Sequence, residues 1–94
     1  MGKENRVSLI QPIEVVAENK YIEIHLTERK KKTSVYRIIK KQGFNNILGE
    51  IRWFRKWRQY CFFPVDGTIF NDGCLITILD FLEKLKKKRR GRGG

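Results

Sequence analysis

Between Ile51 and Phe63, four cationic side chains (Arg52, Arg55, Lys56 and Arg58) are interleaved with six aromatic rings, among them Trp53, Trp57 and Tyr60. A ring accepts a nucleobase by stacking on either face, while guanidinium and ammonium groups beside it neutralise phosphate. These residue types in this pattern suit a single strand, whose bases are free to stack. Arg37, on the preceding segment, and Lys87, Lys88, Arg89 and Arg90, near the end of the chain, extend the candidate set with further phosphate contacts.

Little in the chain points to catalysis. His25 is the single histidine, no glycine-rich phosphate loop is present, and the carboxylates are scattered. Asp66 and Asp72 could meet around a magnesium ion, but a turn and a helix cap account for them better. Cys61 and Cys74, with one distant histidine, fall short of the four ligands of a zinc site and are expected to be buried thiols. The expectation is a non-enzyme without metal or cofactor.

The charge distribution narrows the partner. Net charge is +11, and it is segregated: residues 29–58 carry eleven basic groups and one acidic, and residues 84–94 seven basic groups alone. Residues 1–28 hold three basic and five acidic groups, and residues 59–83 four acidic groups alone. A segregated field of this size attracts polyanions and speeds their encounter, which puts nucleic acid first. Anionic membrane is the competing polyanion, but stable anchoring needs a second signal. The opening Met1-Gly2-Lys3-Glu4-Asn5-Arg6 approaches a myristoylation signal yet has Arg6 where that motif needs Ser or Thr. With no signal peptide and no apolar run of membrane-spanning length, no membrane partner is expected, and the cytoplasm or nucleoid is the expected location.

Ninety-four residues, 40% of them hydrophobic, fit one domain with one core. Residues 1–19 mix apolar and acidic character around Pro12 and are read as an N-terminal arm or an edge strand. Ile22, Ile24 and Leu26 then alternate with Glu23, His25 and Thr27, the period of a half-buried strand. The cationic run Glu28–Lys32 is expected to form a mobile loop, after which Thr33–Lys41 completes a first hairpin and Gln42–Asn46 makes a turn. Ile47–Phe54 and Gln59–Val65 form a second hairpin around Arg55–Arg58. Pro64–Gly67 is turn-like, and Asn71-Asp72 can cap a helix starting near Gly73 or Cys74. Its apolar face is read as Leu75, Ile78, Leu79, Leu82 and Leu85, with lysines toward the negative end of the helix dipole.

The predicted fold is therefore α+β: an antiparallel four-stranded sheet of two hairpins, with one C-terminal helix packed on one face. Residues 20–85 form the domain and 86–94 a flexible basic tail. Phe62, Phe63, Phe70 and Phe81 are expected in the core, and Trp57, in a cationic turn, is the ring hardest to bury.

The segments LGEIRW, WRQYCFFP and TIFNDGCL, followed by a short amphipathic helix, span Leu48 to Leu85. Together they resemble small uncharacterised proteins of archaea, bacteria and their viruses. They are also similar, less specifically, to single-stranded-DNA-binding proteins of the ThermoDBP type, in which a basic, aromatic sheet forms the binding cleft. Four strands followed by a helix further resembles, in topology, the transcriptional-coactivator family that binds melted DNA on a curved sheet. The first of these resemblances implies an α+β fold and makes Arg52, Trp53, Trp57, Arg58, Tyr60 and Phe62 the positions through which a binding role would be inherited. The chain lacks the long coiled-coil extension of the ThermoDBP type, so that resemblance implies no zipper.

The expected function is non-catalytic binding of nucleic acid, single-stranded DNA or RNA in preference to duplex. Two other classes fit the same charge pattern. One is a small interaction protein, a host or viral protein its partner, that inhibits a nucleic-acid-handling complex. The other is a structural component of a ribonucleoprotein, its tail threaded into folded RNA. A homodimer stays open for each.

Overall fold

The computed structural model describes residues 14–42 and 46–93, with side chains through Arg89. Five strands form one antiparallel sheet in chain order: β1 (Glu14–Glu18), β2 (Ile22–Arg29), β3 (Ser34–Lys40), β4 (Ile47–Phe54) and β5 (Gln59–Pro64). One helix, α1 (Asp72–Gly93), follows. The α+β class and both hairpins agree with the sequence reading, but the sheet has five strands instead of four. The extra one is the edge strand β1, which lies within the segment read as arm or edge strand and pairs with β2 from Glu14↔Leu26 to Glu18↔Glu23. The rest of that expected arm, residues 1–13, and Gly43–Asn45 of the expected turn lie outside the described residues.

Alternation along the strands sends one set of side chains beneath the helix. Ile22, Ile24, Leu26, Tyr36, Ile38 and Ile51 meet Cys74, Ile78, Phe81 and Leu85 of α1 in a single core. Four isoleucines, Ile22, Ile24, Ile38 and Ile51, are fully buried, each contributing roughly 1.5–3 kcal/mol by leaving water. Gly49 leaves β5 room that a side chain would fill. A Cβ there would stand 2.6 Å from the Phe62 ring and 2.8 Å from the Phe63 carbonyl oxygen.

The helix docks on a different stripe from the one its leucines suggest. Cys74, Ile78, Phe81 and Leu85 are buried, whereas Leu75 and Leu79 are exposed and Leu82 is half-buried. Two apolar stripes about 100° apart overlap on α1, and only contact with the sheet selects between them. Phe62 and Phe70 pack against the core edge-on to one another at 5.3 Å, as expected. Phe63 instead lies on the opposite face, and Cys61 is half-buried rather than buried.

Both ends of α1 have local causes. The Asn71 side chain accepts from the Cys74 amide at 2.8 Å, the expected N-cap, and Asp72 places negative charge in the first turn. Gly67, with φ of 81°, holds the left-handed position of the preceding Val65–Thr68 turn. Asn19, in the β1–β2 turn, donates through Nδ2 to the Gly73 carbonyl and the Thr77 hydroxyl and so ties the helix start to the sheet. At the far end α1 continues to Gly93, through the segment read as a flexible tail. Lysine and arginine favour helix and sit well at its negative pole, which offsets a cost of about 1 kcal/mol at Gly91. Among the described residues, no helix is long and apolar enough to cross a membrane.

Candidate nucleic-acid interface

In an antiparallel meander alternate connections share an end, so the β2–β3 and β4–β5 turns emerge together. Helix α1 starts near Asn19 at the opposite end and runs back toward these turns. Arg89 reaches the β2–β3 turn, where its Nη1 donates to the Lys32 carbonyl at 3.4 Å. The topology thus assembles Arg29–Lys32, Arg55–Arg58 and Lys84–Arg89 at one pole of the molecule. The three cationic segments are remote from one another in sequence.

Two adjoining cavities, each of about 570 Å³, lie at this pole. The first, between α1 and β5, is lined by Trp53, Trp57, Tyr60, Phe62, Leu79 and Leu82, with Arg58, Lys86 and Arg89 around them. Glu83 is its one acidic contributor. The second is a groove bounded by Arg29–Lys32, Ser34, Lys88 and Arg89. Tyr60 and Arg89 border both. An apolar, ring-lined hollow beside a cationic groove can hold a base and its phosphates together.

The rings are braced from the core outward. Phe81 meets Tyr36 edge-on at 4.9 Å, Tyr36 meets Tyr60 at 6.1 Å, and Tyr60 meets Trp53 at 5.4 Å. The Tyr60 hydroxyl accepts from the Ser34 amide at 3.0 Å, fixing the ring between the two hairpins. Burial, with Tyr60 adding to it, raises the Tyr36 phenol above its ordinary pKa, so it stays protonated across the neutral range. Trp57 rests edge-on against Phe54 at 5.1 Å yet remains 66% exposed at the mouth of the first cavity.

The expected contact residues divide between two faces. Trp53, Trp57, Arg58, Tyr60 and Arg89 meet around the first cavity, and Lys88 joins the groove. Arg55 and Lys56 are exposed in the adjoining turn, and Lys87 is exposed but borders neither cavity. The Arg90 side chain lies outside the described residues. Arg37 and Arg52 sit on the uncovered face of the sheet, both paired with Glu50, at 3.5 and 3.0 Å. Arg52 also lies over the Phe63 ring, 3.7 Å from its centroid, and Glu23 on the same face contacts His25 at 2.7 Å. That face is close to charge-balanced, and Trp53 and Tyr60 point away from it.

Lys30, Lys31 and Lys32 were not among the residues expected to bind. The run was visible as a cationic connection, and counting turns along a meander places it beside Arg55–Arg58. The connection is also tight, closed by the Lys30 amide donating to the Thr33 carbonyl at 2.7 Å.

Arg58 has a φ of 54°, a left-handed conformation that costs a non-glycine residue about 1–2 kcal/mol. Arg58→Gly relieves that strain but adds about 0.5–1 kcal/mol of chain entropy to lose on folding. Stability is therefore expected to hold or rise by up to about 1 kcal/mol in urea denaturation. Single-strand affinity should fall about fivefold near 0.1 M salt, as for one lost phosphate contact. A variant that loses stability, or keeps full affinity, removes Arg58 from the interface.

Comparison of the chain with protein-family models, with curated proteins and with solved structures finds no match.

Proposed function

We propose that the protein binds nucleic acid without catalysis, single strands in preference to duplex, at the cationic pole between the two hairpin turns and the end of α1. One observation carries this reading: three basic segments distant in sequence converge on a cleft lined by Trp53, Trp57 and Tyr60. Surface charge kept only for solubility has no need to surround aromatic rings. The cationic pole supplies sequence-independent attraction, the rings favour unpaired bases, and the cytoplasm or nucleoid provides the ligand.

The test is fluorescence anisotropy of labelled single-stranded DNA, duplex DNA and single-stranded RNA at several salt concentrations. Affinity for single strands should fall steeply with salt. Trp57→Ala should weaken it by about 1–3 kcal/mol, the value of one stacked base, while changing duplex binding little. Salt-insensitive binding, or equal loss for duplex and single strand, counts against the cleft.

A protein-binding role is favoured by a separate observation, the exposed Leu75 and Ile76 on α1, which line neither cavity. Light scattering and pull-down with chains carrying Leu75→Ser and Ile76→Ser distinguish that role from nucleic-acid binding, because these residues stand apart from the cationic groove.

A further inference from the structure

Arg89 and Tyr60 stand between the two cavities. Arg89 lies over the Trp53 indole with its guanidinium carbon 4.2 Å from the ring centroid, and its remaining polar contact is the 3.4 Å bond to the Lys32 carbonyl. Among the described residues it has no carboxylate within ion-pair distance. A flat cation thus lies on a half-buried ring that lines the apolar cavity, held by that contact and one exposed hydrogen bond, with the cationic groove on its other side.

We propose that Arg89 is a displaceable lid: one unpaired base of a bound strand takes its place on Trp53, and the released guanidinium turns to a phosphate in the Lys30–Lys32 groove. The inference rests on the nucleic-acid reading of this cleft and adds the occupant of each cavity to it. A nucleobase and a guanidinium are both planar and both stack on indole. Arg89 is exposed, and a cation so placed gains about 0.5–1 kcal/mol from a ring against about 1–3 for a stacked base. The exchange also gives the guanidinium a partner that suits it better, since its donors match phosphate oxygens in a bidentate fork. Charge complementarity selects the occupant. Arg58, Lys86 and Arg89 surround the apolar lining, so an uncharged apolar ligand would leave them unused, whereas a strand brings a phosphate with every base. Paired bases cannot enter, which gives the preference for single strands a structural origin.

Trp53 reports on the exchange. In a Trp57→Phe chain it is the sole tryptophan, and the ring at position 57 is kept. Two probes are added to this chain, an oligothymidylate of about eight nucleotides and an abasic strand of equal length, with anisotropy recording binding in parallel. Both strands should bind, but the thymidylate should quench more than about half of the Trp53 emission and the abasic strand less than about a tenth. Arg89→Ala should make Trp53 more accessible to acrylamide in the free protein, and the thymidylate should restore its protection. Equal quenching by both strands, or thymidylate binding with unchanged Trp53 emission, overturns the lid while leaving nucleic-acid binding intact. Trp53 accessibility unaffected by Arg89→Ala also overturns it. Absence of binding by either strand removes both the lid and the function beneath it.

Discussion

Replacing Lys30, Lys31 and Lys32 together by alanine is expected to weaken single-strand binding about a hundredfold near 0.1 M salt. Each phosphate neutralised on a single strand contributes about 0.7 to the slope of log affinity against log salt. Relative to 1 M salt, each contact is therefore worth about 0.7 log unit at 0.1 M, and three are worth about two. The slope itself should become shallower by about 2. Folding should be untouched, because all three side chains are exposed and none forms an ion pair among the described residues. Arg89 meets only the carbonyl of Lys32, which alanine keeps. The control is Arg37→Ala with Arg52→Ala, which removes two cations from the uncovered face, where Glu50 already pairs with both. The control should cost much less than the lysine variant. Equal losses from the two variants would move the interface to the open face of the sheet.

That contrast marks how far the residues alone determine the site. Alternation sets Ile51 with Trp53 on one side of β4 and Tyr60 with Phe62 on one side of β5, and the pairs Ile51↔Phe62 and Trp53↔Tyr60 bring the two sets to one face. It does not say which face the helix covers, because both faces of the second hairpin carry rings. The decision is tertiary: Ile51, between Tyr36 and Phe62 in the sheet, is fully buried under α1 and brings Trp53 to the same side. The strands and the helix cap were legible because each rests on local chemistry, the alternation of β2 and the Asn71 side chain. Strand β1 was harder to read, being short and mostly exposed, with no clean alternation. The helix face misled for a related reason. Leucines draw attention to Leu75 and Leu79, yet the stripe buried against the sheet includes Cys74 and Phe81, in one cluster with Tyr36 and Ile24.

Phe81→Ala carries the largest expected cost to the fold, about 3–5 kcal/mol, because a buried ring is removed and the cavity cannot close fully. Phe81 is only 6% exposed and packs edge-on against Tyr36 at 4.9 Å. A domain of this size has roughly 5–15 kcal/mol in all, so much of its stability would go. Urea denaturation followed by circular dichroism measures the loss, and Phe81→Leu, which keeps most of the volume, should cost under about 1.5 kcal/mol. The consequence extends to the cleft, since Phe81, Tyr36, Tyr60 and Trp53 form one succession of contacting rings from the core to the first cavity. A helix that loses its grip on Tyr36 also withdraws Lys86, Lys88 and Arg89 from the pole. Single-strand affinity should therefore fall with stability in Phe81→Ala. A saturating strand, binding only the docked state, should stabilise the variant by about 2.7 kcal/mol at a hundred times its Kd and so raise its denaturation midpoint. Loss of less than about 1 kcal/mol would mean that α1 is held elsewhere. Full affinity in a strongly destabilised variant would mean that the helix is dispensable for binding, and the hairpin turns would then be the whole interface.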